Sequence, residues 1–260
     1  MEAINKESTL QRLKSYRKHP LSAILFLLVV ISAVITLTVL IALIAYILIK
    51  GIPNLSPELF EWEYTTENVS MMPAIINTLI ITALSLLFAL PVGICSAIYL
   101  VEYAKRGNKL VSIVRITTET LSGIPSIVYG LFGYLFFNIF LEWSYTILGG
   151  ALTLAIMILP LIMRTTEEAL IAVPDLYREG SFGLGAGKLR TVFRIVLPSA
   201  VPGILAGVIL AVGRIVGETA ALLYPAGTAT TVADGLMSSG RTLAVHMYAL
   251  LNEGLYMDQA

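Results

Sequence analysis

"EGSFGLGAGKLRTVFRIVLP", residues 179–198, sets four glycines beside Lys188, Arg190 and Arg194 in a chain that is otherwise mostly apolar. The run ending in Gly187-Lys188 raises the question of a phosphate-binding loop. A P-loop needs G-x-x-x-x-G-K-[ST], so that backbone amides cradle the phosphates and the hydroxyl reaches magnesium. Position 182 is Phe where the first glycine would stand, and position 189 is Leu where the hydroxyl would stand. Gly183, Gly185 and Gly187 also miss the G-x-G-x-x-G dinucleotide spacing. Nucleotide binding by this stretch is excluded.

Two short helices account for it better. Pro174-Asp175 suits a helix start, with proline in the first turn and Asp able to cap exposed amides. Gly185-Ala186-Gly187 allows a sharp reversal. Beyond it, Leu189, Val192, Phe193 and Val196 recur at i, i+3, i+4 and i+7, which predicts one apolar face. Lys188, Arg190, Thr191 and Arg194 fill the remainder, and Pro198 is expected to end the helix. Such a helix-turn-helix either lies on anionic lipid or docks a partner.

The surroundings are membrane-like. The 260 residues are 57% hydrophobic and 13% charged, with a mean hydropathy of +0.85, and soluble domains carry about 25% charged residues. The lone Cys95 excludes an internal disulfide, and His19 and His246 are too far apart in sequence to suggest a metal site. A crossing needs about 20 apolar residues. The hydropathy predicts an all-α bundle with five spans, near 21–49, 73–101, 113–140, 145–173 and 200–224, and a loop over 174–199. The first span is too long for a signal-peptide core. Pro91, Gly123, Pro125 and Pro160 fall inside spans, which a packed bundle tolerates.

Basic residues predict the orientation. Lys6, Arg12, Lys14, Arg17 and Lys18 precede the first span, Lys105, Arg106 and Lys109 follow the second, and Arg178, Lys188, Arg190 and Arg194 follow the fourth. The opposite connections carry only Lys50 and Arg241, beside Glu58, Glu61, Glu63 and Glu67. Twelve against two places residues 1–20, as a basic tail, and the 179–198 stretch in the cytoplasm.

The stretch resembles the permease signature of bacterial ABC importers, E-A-A-x3-G-x9-I-x-L-P. Glu179 and Gly185 match, Ile195, Leu197 and Pro198 close the motif, and Gly180 and Ser181 replace the two alanines. The resemblance implies a type I ABC importer transmembrane domain over 21–260, whose loop acts as a coupling helix seated in an ATPase. "LSGIPSIVYGLFG" (121–133), "MRTTEEAL" (163–170) and "GRIVGETAALLYPAGTA" (213–229) narrow this to a resemblance to PstA-type phosphate permeases. The partners so implied are a second permease (PstC-like), an ATPase dimer (PstB-like) that binds ATP and Mg2+, a phosphate-binding protein (PstS-like) and inorganic phosphate. This chain itself would bind no cofactor, metal or nucleic acid and catalyse no bond chemistry. It would sit in the bacterial cell membrane. The polar end "LLNEGLYMDQA" falls where that family starts another crossing, so the expectation is only a short helix or loop over 236–253 and no sixth crossing here.

Arg214 lies in the fifth predicted span with Glu218 four residues on. An arginine at membrane depth costs several kcal/mol unless it faces the bundle interior or a wet cavity, and its planar fork suits an oxyanion. Gly213 and Gly217 would admit a helix or ligand to the backbone. The expectation is that Arg214 neutralises the anion, Glu218 holds Arg214 and accepts the phosphate proton, and Arg164 contributes less. The alternative is an Arg214–Glu218 ion pair that fastens helices. Arg164 has Glu167 and Glu168 nearby, and Arg115 has Glu119 at i+4 and can snorkel. Sulfate, molybdate and phosphonate permeases share the docking signature and remain the competing substrate classes. With no histidine inside a span and no paired aspartates, an intramembrane hydrolase is excluded.

Overall fold

The computed structural model describes residues 20–105 and 107–254, so the basic tail, Arg106 and His19 lie outside the described residues. Those described are helices and connecting turns, with no strand among them. They fall into two units divided after Leu55. The first holds α1, Pro20–Gly51, followed by a 3-10 turn at Ile52–Asn54. At 1.5 Å per residue, α1 is about 48 Å long and long enough to cross a bilayer.

The second unit is built on α2 (Met72–Ile98), which continues as a π turn to Tyr103, and α5 (Ile147–Ile171). The two run parallel. Ser85 Oγ donates to the Ala151 carbonyl at 3.1 Å, and a Cβ on Gly93 would come 2.7 Å from Ile162 Cγ2. The third long helix starts as α7 (Lys188–Thr191), passes through a π turn (Val192–Val196) and ends as α8 (Leu197–Val216). It runs antiparallel to α5. A Cβ added at Gly203 would meet the Ala169 Cβ at 2.7 Å, and one at Gly207 would overlap the Thr165 hydroxyl. Ile81, Leu154, Ile158, Ile162, Ala211 and Ile215 belong to the core between these helices.

Three expectations are corrected here. The stretch 113–140 is no straight span. α3 (Lys109–Ser122) and α4 (Ser126–Gly133), extended by a π turn to Phe140, meet at 101°. Pro125 has no N–H to offer and forces Ile124 out of the helical region. The Tyr129 hydroxyl then pins the corner by donating to the Leu121 carbonyl at 2.8 Å. Hydropathy over a window registers length and greasiness, not direction.

Pro198 does not end a helix. The π turn just before it relaxes the backbone where the proline ring would otherwise press on the preceding turn, so one rod runs from Lys188 to Val216. The fifth predicted span, 200–224, is likewise displaced. α8 stops at Val216 with Gly217 as its cap, and 217–242 is a chain of turns.

That turn-rich segment is tied to the start of α2. Buried Asn77 donates to the Thr231 carbonyl at 3.0 Å and accepts from the Ala233 N–H at 3.1 Å. It leads into α9, Leu243–Glu253. Eleven residues are too few to cross a bilayer, in line with the short helix expected over 236–253.

Candidate functional site

The 179–198 stretch forms the predicted reversal. α6 (Asp175–Gly183) gives way to α7 through Gly185, whose φ is +83°. The Gly185 N–H bonds the Phe182 carbonyl at 2.9 Å and the Ala186 N–H bonds that of Ser181 at 3.1 Å. The buried hydroxyls of Ser181 and Thr191 stand 2.8 Å apart and clip the two helices together. A serine in place of the signature's second alanine therefore has a structural use. Glu179, Gly180 and Pro198 are exposed, while Ile195 and Leu197 are half-buried.

Two local readings change. Asp175 does not cap α6, because its carboxylate accepts from Arg178 at 3.2 Å. The single apolar face divides. Val192 and Val196 are buried against the ends of α2 and α5, in a cluster with Ile98 and Leu170, while Leu189 and Phe193 are exposed. With Leu176, Tyr177 and Leu184 (91% exposed), they surround the turn with bare apolar side chains.

Arg178 organises this end of the molecule, a role the sequence alone did not disclose. Its Nε and Nη2 donate to Glu102 Oε1 at 3.1 and 2.7 Å. Nη1 donates to the Val173 carbonyl at 2.8 Å and Nη2 to that of Leu170 at 2.9 Å. Leu170 is in the last turn of α5 and Val173 just beyond it, where carbonyls lack the N–H partners of a helix interior, although Leu170 also accepts the Val173 N–H at 3.3 Å. One guanidinium thus joins the α2 end, the α5 end and the turn-bearing α6.

The second feature is a cavity of about 550 Å³ bounded by α3, α5 and α8, with Arg115, Arg164 and Arg214 in its wall together with Glu119, Glu167 and Glu168. Counting two turns on from the Gly207–Thr165 contact puts Arg214 level with Ile158, close to the middle of α5. Arg115 pairs with Glu167, and Arg164 Nε pairs with Glu168 Oε1 at 3.1 Å on the same helix face. No ion pair to Arg214 occurs among the described residues. The wall holds three cations and three anions, yet Arg214 is the cation whose charge no carboxylate on its wall answers. Arg115, which the sequence ranks below the other two, belongs to the same cavity. It also lines a neighbouring cavity of about 710 Å³ with Lys105 and Lys109. The basic side chains line these two cavities from the middle of α5 to the α2–α3 connection.

Glu218 stands elsewhere. Because α8 stops at Val216, Glu218 leaves the helix and accepts the Ala221 N–H at 3.2 Å. It is not in the wall beside Arg214, and the anticipated Arg214–Glu218 pair does not form among the described residues. Among the described residues, no other helix comes within 4 Å of a Cβ built on Gly213, and the close helix contacts lie at Gly203 and Gly207 instead. The resembling stretches 121–133 and 213–229 do meet: a Cβ on Gly130 would sit 2.6 Å from the Ala220 carbonyl. No cluster of histidine, cysteine or carboxylate groups fit to hold a metal occurs among the described residues.

Residues 89–252 match the model of the family described as binding-protein-dependent transport system inner membrane component. The chain is 35% identical over 248 residues to "Probable ABC transporter permease protein YqgI" of Bacillus subtilis, covering 88% of this chain and 82% of that protein. It is 34% identical over 220 residues to the phosphate transport system permease protein PstA of Haemophilus influenzae, covering 84% and 77%. To PstA 1 of Mycobacterium tuberculosis it is 38% identical over 154 residues, 59% of this chain and 50% of that one. A structure of the inward-facing MetNI methionine ABC transporter aligns with a TM-score of 0.48 at 20% identity, covering 73% of this chain and 89% of that one. This chain belongs to the inner-membrane components of binding-protein-dependent ABC importers, multi-pass permease subunits that leave ATP hydrolysis to a partner.

Proposed function

We propose that this chain is a permease subunit of an ATP-driven phosphate importer and forms half of its transmembrane pathway. The observation that carries this reading is Arg214, an arginine without a carboxylate partner among the described residues, in the wall of a cavity level with the middle of α5. Its planar fork can grip two oxygens of a tetrahedral anion. Arg164 and Arg115 carry the path toward Lys109 and Lys105. Their glutamate partners keep the wall near neutral, so an anion is attracted but not trapped. The likeness to the PstA proteins of Haemophilus influenzae and Mycobacterium tuberculosis supports phosphate as the anion.

The other half of the pathway would come from a second, PstC-like permease, and substrate from a PstS-like binding protein. A PstB-like ATPase dimer, which holds ATP and Mg2+, would dock at the 179–198 turn. Bare Leu176, Tyr177, Leu184 and Leu189 around a rigid Gly185 corner suit a knob that fills a partner's cleft. Closure of the ATPases would pull α6, and Arg178 would pass that pull to α2 and α5, rocking the bundle around Arg214. The distribution of basic residues along the sequence supports a cytoplasmic side for the 179–198 turn and, separately, for the N-terminal tail.

The test is uptake of labelled phosphate by cells or proteoliposomes holding this chain with its operon partners, with sulfate, molybdate and phosphonate as competitors. Phosphate accumulation that excess sulfate does not suppress is the expected result. Accumulation of sulfate, molybdate or phosphonate in its place would overturn the phosphate assignment.

A further inference from the structure

Arg241 lies at the other end of the molecule from the docking turn. Its carbonyl accepts from Asn77 at 3.4 Å, near the start of α2, and Arg178 grips Glu102 at the finish of that helix. Twenty-five residues of helix separate Asn77 from Glu102, about 37 Å. Arg241 is 4% exposed, and its Nε and Nη2 are shielded from solvent without a hydrogen-bond partner among the described residues. Its guanidinium carbon sits 4.8 Å from the centre of the Tyr64 ring. A ring face answers the charge in part but accepts no pair of N–H bonds. An arginine left this way costs several kcal/mol, and here the backbone holds it in place, since the Arg241 N–H bonds the Ala229 carbonyl at 3.1 Å.

The same guanidinium borders a cavity of about 650 Å³ whose wall includes Thr228, Thr230, Tyr248 and Asn252, with Glu253 as its one acid. Hydroxyls and an amide around a guanidinium that no carboxylate pairs among the described residues make a surface for an anion rather than a cation. A single carboxylate neither neutralises the site through an ion pair to Arg241 nor makes it cation-selective. The segment from Gly217 to Gly240 joins this cavity to the end of α8, where Arg214 stands.

We propose that the Arg241 cavity is a low-affinity receiving site for a tetrahedral oxyanion, which takes the substrate at the mouth of the bundle before it reaches Arg214. The identity of that anion as inorganic phosphate rests on the import reading above. Binding should be weak and quickly reversible, because Thr228, Tyr248 and Asn252 are exposed and Thr230 is half-buried, while the Nε and Nη2 of Arg241 are shielded from solvent.

The test is 31P saturation-transfer NMR of inorganic phosphate with the intact, nucleotide-free importer in a phosphate-free detergent. Arg241→Gln should lower the transfer at least about tenfold, the effect of losing a charge-assisted hydrogen bond, and Arg241→Lys should fall between. Thr230→Val, which strands no charge, should lower it less, and Arg214→Gln should leave the Arg241-dependent part in place. If Arg241→Gln does not assemble, Thr230→Val and Asn252→Leu decide: a reduced signal supports the site, an unchanged one overturns it. A wild-type signal that Arg241→Gln leaves intact also overturns it, as does one abolished by added phosphatidylglycerol, which would put a lipid headgroup there. A complex that fails to import phosphate yet shows the Arg241-dependent signal would sink the import reading alone. Import without that signal would sink the receiving site alone.

Discussion

Arg178 and Glu102 stand 76 residues apart in the chain and meet as an ion pair of 2.7 Å, with side chains only 14% and 8% exposed. Breaking a buried pair from one side strands the other charge, at a cost of about 3–5 kcal/mol. Arg178→Ala should therefore lower the melting temperature of the complex. Arg178→Lys should not restore it, because a point-like ammonium cannot serve Glu102 and the Leu170 and Val173 carbonyls together. A thermal melt of the purified importer, read beside its ATPase activity, checks both. A lysine variant with wild-type melting and coupling would show that the fork geometry is unimportant.

Gly185 at φ +83° occupies backbone that a β-branched side chain resists, at about 1–3 kcal/mol of strain. Among the described residues nothing lies within 4 Å of a Cβ there, so the penalty is in the backbone rather than in crowding. Gly185→Val should reach the membrane but lose the ATPase on co-purification, whereas Gly185→Asn, which tolerates this region, should keep most of it. Equal recovery of ATPase with both variants would separate the turn from docking.

These two sites show what can be read from a single chain. The Gly185 corner follows from local backbone rules. The permease-type motif over 179–198 is continuous in sequence, and an arginine such as Arg214 inside an apolar run stands out by its cost. Arg178 and Glu102 each looked like ordinary residues at span ends, since only the packing of α2 against α5 and α6 brings them together. The 101° corner at Pro125 is invisible to any window that averages hydropathy. Glu218 misled for a related reason. Its one-turn relation to Arg214 assumed a helix that the Gly217 cap brings to a stop. The Arg241 cavity needs Tyr64 and Asn252, nearly two hundred residues apart, and has no local signature at all.

Glu218 now carries a milder expectation. It accepts the Ala221 N–H, and a glutamine keeps an oxygen in that position. Glu218→Gln should change phosphate uptake by less than about threefold, within the range of a single neutral hydrogen bond, and leave sulfate discrimination unaltered. Relaxed discrimination in a competition assay would return Glu218 to the substrate path.

His246 gives a pH dependence. It is buried on α9 with its ring edge-on to Tyr64. Burial, aided by the Arg241 charge, lowers its pKa from 6.5 to about 4, against a smaller opposing effect of a backbone hydrogen bond with Val69. Between those values the unfolded chain binds a proton that the folded one refuses, so stability rises with pH there. The contribution is complete above about pH 6.5 and is lost as pH falls toward 4. Melting curves of wild type and His246→Gln across pH 4–7.5 should diverge, with the wild type losing more stability on the acid side. Parallel curves would remove His246 as the source.

Arg214 is the group proposed to meet the anion, and ATP-driven phosphate uptake by proteoliposomes bearing Arg214→Gln tests that role most directly. Arg214 is exposed to its cavity and holds no partner in place, so the variant should assemble with its ATPase and melt as the wild type does. Its uptake should fall by about ten- to a hundredfold, the effect of losing a charge-assisted hydrogen bond of about 1.5–3 kcal/mol. An assembled Arg214→Gln complex that imports phosphate at close to the wild-type rate would contradict the account.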